Sequence, residues 1–112
     1  MKGANVSLMS MPGLAKTGFN SSSAPKTYQL LQNYPNPFNP TTEFSYMLPE
    51  DGHVVLKVFN VLGQEISTIV DEFQTTGNKS ISFDARNLPS GLYFYKMQAG
   101  KFTAIKKMML VK

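Results

Sequence analysis

The sequence predicts an all-β fold of two packed antiparallel sheets, and three observations carry that prediction. Apolar and polar residues alternate at period two through most of the chain after residue 28. Turn chemistry built on Gly, Pro, Asn and Asp interrupts the alternation at spacings of roughly 8–12 residues. No segment repeats its apolar residues at the spacing of a helix face.

The elements follow in order. Tyr28–Leu31 is a short apolar run. It leads into Asn33-Tyr34-Pro35-Asn36-Pro37-Phe38-Asn39-Pro40, whose three prolines forbid helix and remove ladder donors. An extended, stiff loop anchored by Tyr34 and Phe38 is expected there. Glu43–Leu48 puts Phe44, Tyr46 and Leu48 on one face. Pro49-Glu50-Asp51-Gly52 is a turn in which proline fixes one dihedral and glycine takes the unusual one. His53–Asn60 puts Val54, Leu56 and Val58 on one face, and Val55, Lys57 and Phe59 on the other. Leu62-Gly63-Gln64 turns the chain again. In Glu65–Phe73 the apolar phase breaks between Ile66 and Ile69, which a β-bulge or a strand-to-turn transition explains. Gly77-Asn78 reads as a turn, and Lys79–Asp84 as a strand with Ile81 and Phe83 inward. Asn87-Leu88-Pro89-Ser90-Gly91 is a loop, and Leu92–Gln98 carries Tyr93, Tyr95 and Met97 in phase. Ala99-Gly100 fits a tight hairpin turn into Phe102–Val111. Seven short strands with this spacing predict an immunoglobulin-like antiparallel β-sandwich.

Composition bounds the rest. A chain of 112 residues is the size of one domain, and 42% hydrophobic content supports one modest core. Without cysteine there is no disulfide and no thiolate zinc site. The net charge of +4 is weak, Arg86 is the single arginine, and no Arg-rich run suits nucleic acid. Lys101, Lys106, Lys107 and Lys112 gather at the C-terminal end. No stretch approaches the roughly 20 apolar residues of a membrane-spanning helix. Residues 1–27 read as a linker or tail, because Gly3, Gly13, Gly18, Ser21-Ser22-Ser23 and Pro25 favour neither regular structure. Asn5, Ser7 and Ser10 interrupt the apolar run a signal peptide needs, so an export signal is expected on a parent chain. The ordered domain is expected over residues 28–112.

No catalytic constellation is visible. His53 is the single histidine and is read as an exposed residue at a strand start. The seven carboxylates fall mostly in or beside turns, where solvated surface is the default. Asp84 ends a strand and is expected to cap an Asx-type turn, with no catalytic or calcium role. There is no phosphate-binding glycine loop and no calcium loop, so no catalytic residue, metal or cofactor is assigned. Tyr93 follows Leu88-Pro89 and a glycine at a strand entrance, which fits a tyrosine corner.

Five blocks of these residues resemble one family. Gln32-Asn33-Tyr34-Pro35-Asn36-Pro37-Phe38-Asn39-Pro40-Thr41-Thr42 resembles the opening motif of the C-terminal sorting domains of the bacterial type IX secretion system. Tyr46-Met47-Leu48-Pro49, Val58-Phe59-Asn60-Val61-Leu62-Gly63-Gln64-Glu65 and Ser90-Gly91-Leu92-Tyr93-Phe94-Tyr95 continue the match. Lys106-Lys107-Met108-Met109-Leu110-Val111-Lys112 closes it. Many relatives carry Trp-Asp-Gly where this chain has Phe83-Asp84-Ala85, which implies a different turn there.

The resemblance implies an immunoglobulin-like domain at the end of an exported cargo protein. Such a domain passes through the periplasm and is recognised by the outer-membrane translocon. A sortase-like protease can then remove it and anchor the cargo at the cell surface. Cleavage would fall within residues 15–30. Pro35, Asn36, Pro37, Phe38, Asn39, Pro40, Gly63 and Asp84 are the structural motif residues this implies. Gly91, Tyr93, Lys106, Lys107, Met108, Leu110 and Lys112 are the expected recognition residues, because a lysine-bearing edge strand can offer backbone groups and charge to a partner. Two other classes compete. A structural spacer would resemble the immunoglobulin-like domain of flagellar hook-capping proteins. A carbohydrate-binding accessory module of an exported hydrolase would display exposed aromatics on one sheet.

Overall fold

The computed structural model describes residues 26–112. All but the last two residues of the tail expected over 1–27, and most of the expected cleavage window, lie outside the described residues. Seven strands form: β1 (Gln29–Leu30), β2 (Thr41–Leu48), β3 (Gly52–Phe59), β4 (Glu65–Gln74), β5 (Gly77–Asp84), β6 (Gly91–Ala99) and β7 (Phe102–Leu110). There are two antiparallel sheets, ordered β1-β2-β5 and β4-β3-β6-β7. The all-β sandwich read from the sequence is the fold observed. β4 lies beside β3 on the larger sheet, rather than joining β5 as in a constant-type immunoglobulin domain.

The core is the set of in-phase residues. Phe44, Tyr46 and Leu48 of β2 and Val54, Leu56 and Val58 of β3 are buried. They meet Phe83 of β5, Tyr93, Tyr95 and Met97 of β6, and Met108 and Leu110 of β7. Phe44 sits between Phe83 and Tyr95, with ring centroids 5.7 and 4.6 Å apart. Each large apolar side chain so buried contributes about 1.5–3 kcal/mol.

The phase break in β4 resolves into two bulges. Leu56 faces Val70 but Lys57 faces Thr68, so Ile69 is extra. Val58 faces Ser67 but Phe59 faces Glu65, so Ile66 is extra as well. Both isoleucines lean on the core from the bulged positions.

Three local expectations shift. Gly77 and Asn78 begin β5, and the reversal falls at Thr75-Thr76. There Thr76 donates from its backbone to Asp51 and from its hydroxyl to the Leu48 carbonyl. The β6–β7 hairpin turns at Gly100-Lys101 because Ala99 pairs with Phe102. Gly100 sits at φ +58, which glycine adopts readily, with the Tyr28 hydroxyl 3.1 Å from where a Cβ would lie. Tyr34 is no anchor: it is 81% exposed, because its backbone pairs with Glu43 and directs the ring outward.

Candidate recognition surface

Residues Gln32–Phe38 form a strap along the outer edge of β7. Phe38 is buried; its N–H donates to the Met109 carbonyl (3.0 Å), and its carbonyl accepts from Val111 (2.9 Å). The Asn36 side chain accepts from the Met109 N–H, and the Gln32 amide donates to the Lys107 carbonyl. The prolines suit this role, since they lack the donors that would demand strand partners on the strap's other side. Asn39 is exposed, and the Pro40 carbonyl accepts from the Ala85 N–H at 2.9 Å.

A buried polar hub holds the start of the strap. The Asn33 N–H donates to the Tyr95 hydroxyl (2.8 Å), and that hydroxyl donates to the Leu31 carbonyl (2.7 Å). The Asn33 side-chain amide donates to Thr42 Oγ1 and to the Pro35 carbonyl, which also accepts from Thr42. Asn33 and Thr42 are both 2% exposed. Burial pushes the Tyr95 phenol up to about 12. Neither Thr42 nor Tyr95 was marked as a site residue from sequence.

The expected recognition residues divide by burial. Met108 and Leu110 lie in the core, so their side chains support β7 and present nothing to a partner. Tyr93 forms the expected tyrosine corner, its hydroxyl donating to the Pro89 carbonyl at 2.6 Å. Gly91 opens β6 opposite Leu110. Lys107 is exposed on the outer sheet face, and Lys112 reaches the Arg86 carbonyl at 2.7 Å. Lys106 pairs with Tyr95 and so faces the core side of an edge strand, half-exposed. An inward-pointing charge on an edge strand discourages indiscriminate edge pairing.

Asp84 accepts the backbone N–H of Arg86 (3.0 Å) and pairs with its guanidinium, which completes the expected Asx-type turn. The Arg86 side-chain hydrogen bonds hold its carboxyl below the usual range. Beside this turn Ala85 buries its methyl group in the core.

The β3–β4 turn is locked by Asn60. Its side-chain oxygen accepts from the Leu62 and Gln64 N–H groups, and its amide donates to Gln64 Oε1. Gly63 supplies the positive φ (+82) that closes the turn. Val61 and Leu62 are therefore held out at 63% and 78% exposure. Asn60→Ala is expected to cost about 1 kcal/mol and to loosen this tip first. Hydrogen exchange at Leu62 and Gln64 checks this; unchanged protection at both amides would contradict it.

No group of three or more metal-ligating side chains occurs among the described residues. Among the described residues His53 pairs only with Asp71, and both side chains are 59% exposed. Tyr34 and Phe73 are the strongly exposed aromatics among the described residues. One lies on the strap and the other at the end of β4, so they form no shared platform. No helix of the described residues is long and apolar enough to cross a membrane.

Residues 32–112 match the family described as the secretion system C-terminal sorting domain. Among solved structures the chain is similar to dimeric latent PorU from Porphyromonas gingivalis, with a TM-score of 0.60 and 17% identity. That similarity covers 85% of this chain and 10% of the other. No match is found among curated proteins.

Proposed function

The chain belongs to the secretion system C-terminal sorting domain family, and from that premise we propose that it delivers an attached cargo to the outer-membrane translocon of the type IX system. Membership supports the coarser statement directly: this is a sorting signal for export, in a family that is not one of enzymes. The finer reading is ours. The domain, taken as residues 28–112, crosses the periplasm attached to its cargo and docks on the translocon. A sortase-like protease then removes it, leaving the cargo at the cell surface.

The observation that favours a specific docking face is the state of β7. Its C-terminal half is covered by the strap, and Lys106 and Lys107 are the charged residues of a strand that is otherwise apolar but for Thr103. In this reading Lys106, Lys107 and Lys112 meet the translocon, while Gly91, Tyr93, Met108 and Leu110 hold the strand in position.

Deleting Lys106–Lys112 is a poor test, because it removes Met108 and Leu110 from the core. The sharper experiment fuses residues 1–112 behind a reporter with its own signal peptide in a type IX-competent cell. The reporter is expected at the surface or in the medium. The Lys106→Glu/Lys107→Glu pair is expected to trap most of it in the periplasm with the fold intact by circular dichroism. Undiminished surface display of that folded variant would sink the proposal.

A further inference from the structure

Two cavities open on the outer face of the four-stranded sheet and share a wall. One, of about 440 Å³, is lined by Phe59, Val61, Phe94, Lys96 and Ile105. The other, of about 340 Å³, is lined by Gln32, Phe94, Ile105, Lys106 and Lys107. Phe94 and Ile105 belong to both, so one groove runs from the β3–β4 tip to the free edge of β7. It is apolar at the tip and cationic at the edge.

Three features make this groove more than a dent in a sheet. Ile105 is 60% exposed and Val61 63%, a contiguous apolar exposure beside a turn that Asn60 holds rigid. Lys96, Lys106 and Lys107 meet no carboxylate among the described residues, whereas Lys57 nearby is paired with Glu65. The strap ends at Gln32. On the side of β7 facing away from β6 it engages the Lys107 carbonyl, both backbone groups of Met109 and the Val111 N–H. By strand alternation the backbone groups of Thr103 and Ile105 face the same way, and they have no partner there among the described residues.

We infer that this groove binds an extended segment of a partner protein in which pairs of carboxylate residues alternate with pairs of apolar ones, so that each face of the added strand carries both. The segment adds to β7 along Thr103–Lys107, seats an apolar side chain against Phe94 and Ile105, and brings carboxylates to Lys96 and Lys107 on the outer face and to Lys106 on the core-facing side of the edge. Charge complementarity selects the acidic segment. The open backbone edge selects a polypeptide over an anionic lipid, because an acyl chain cannot satisfy N–H and C=O groups. A second copy of β7 is disfavoured, because parallel pairing would set the lysine pairs side by side and antiparallel pairing would offer them no carboxylate. The inference rests on the reading of β7 as the docking strand, and supplies the chemistry of what docks.

The test uses the 112-residue chain and a fluorescein-labelled octapeptide in which glutamate pairs alternate with leucine–valine pairs. A version with lysine for glutamate and vesicles of phosphatidylglycerol serve as comparisons. The acidic peptide is expected to bind, shifting the backbone amides of Thr103–Lys107, Phe94 and Val61 in nitrogen–proton spectra. Ile105→Glu and Lys107→Glu should each weaken it by about tenfold. Ile105→Thr, a milder change at the same exposed position, should weaken it less. The inference is overturned if the acidic peptide leaves those amides unmoved, if Ile105→Glu binds as well as wild type, or if only vesicles bind. Export of the wild-type reporter without peptide binding would remove the inference and leave the sorting reading standing. Peptide binding without reporter export would do the reverse.

Discussion

Phe38→Ala is expected to destabilise the domain by about 3–5 kcal/mol, the usual cost of deleting a buried aromatic ring. Phe38 is 1% exposed, so its site has no solvent-facing side through which to relax. The ring also decides where the strap lies. The backbone of the same residue makes the two hydrogen bonds to the Met109–Val111 stretch, so losing the ring is expected to weaken both. A domain of this size has a total stability of about 5–15 kcal/mol, so the loss is a large share of it. Chemical denaturation should show a lower midpoint. Hydrogen exchange should show the Met109 and Val111 amides losing protection. If the midpoint moves by less than about 1 kcal/mol, the strap is not anchored through this ring.

The second large effect is expected at Tyr95. Tyr95→Phe keeps the ring against Phe44 but leaves the buried Asn33 N–H and the half-buried Leu31 carbonyl without partners. Each orphaned group costs about 1–3 kcal/mol. The phenol also has a pH signature. Its pKa in the fold is about 12, above the ordinary tyrosine value of 10.0. A raised folded value means the unfolded chain releases the proton first. The stability from the neutral phenol is therefore fully present below pH 10 and is lost as pH rises from 10 through 12. The loss over that window is about 2–3 kcal/mol. Tyr46, also buried and raised in the same direction, adds to the alkaline loss. Tyr95→Phe should flatten the stability profile between pH 10 and 12 while leaving the Tyr46 part. An unchanged alkaline slope in that variant would show that Tyr95 titrates as an exposed phenol.

How much of this was legible in the sequence depends on the range of each interaction. Period-two alternation placed Val54, Leu56 and Val58 correctly, because strand geometry alone sends alternate residues to one face. The Ile66–Ile69 break marked the bulges, because an inserted residue must shift the phase. The Tyr93–Pro89 bond was readable because it spans four residues. The Asn33 hub was not, because its Tyr95 partner lies 62 positions away. Tyr34 and Phe38 look alike as aromatics in a proline-rich loop. Only the pairing of Tyr34 with Glu43, and of Phe38 with β7, sends one ring out and the other in. The lysines of β7 suggest a recognition element in the sequence, yet Met108 and Leu110 beside them serve the core. The groove beside Lys106 and Lys107 depends on Phe94 and Ile105 meeting across a strand pair, which no local pattern shows.

The hairpins also give the molecule a polarity. Tyr28 stacks on Phe102 at 5.3 Å and hydrogen-bonds Glu50, so the described chain enters at the end where β6 turns into β7. β3 and β7 finish at the opposite end, with the Asn60 turn, Leu110 and Lys112. Nine residues of β7 separate the two ends, a span of about 30 Å. In the proposed reading the cargo and the Lys112 end of the docking strand thus sit at opposite poles of the domain, with Thr103 on the cargo's side. A partner closing on the far pole would meet the same surface whether the polypeptide entering at the near pole were small or bulky.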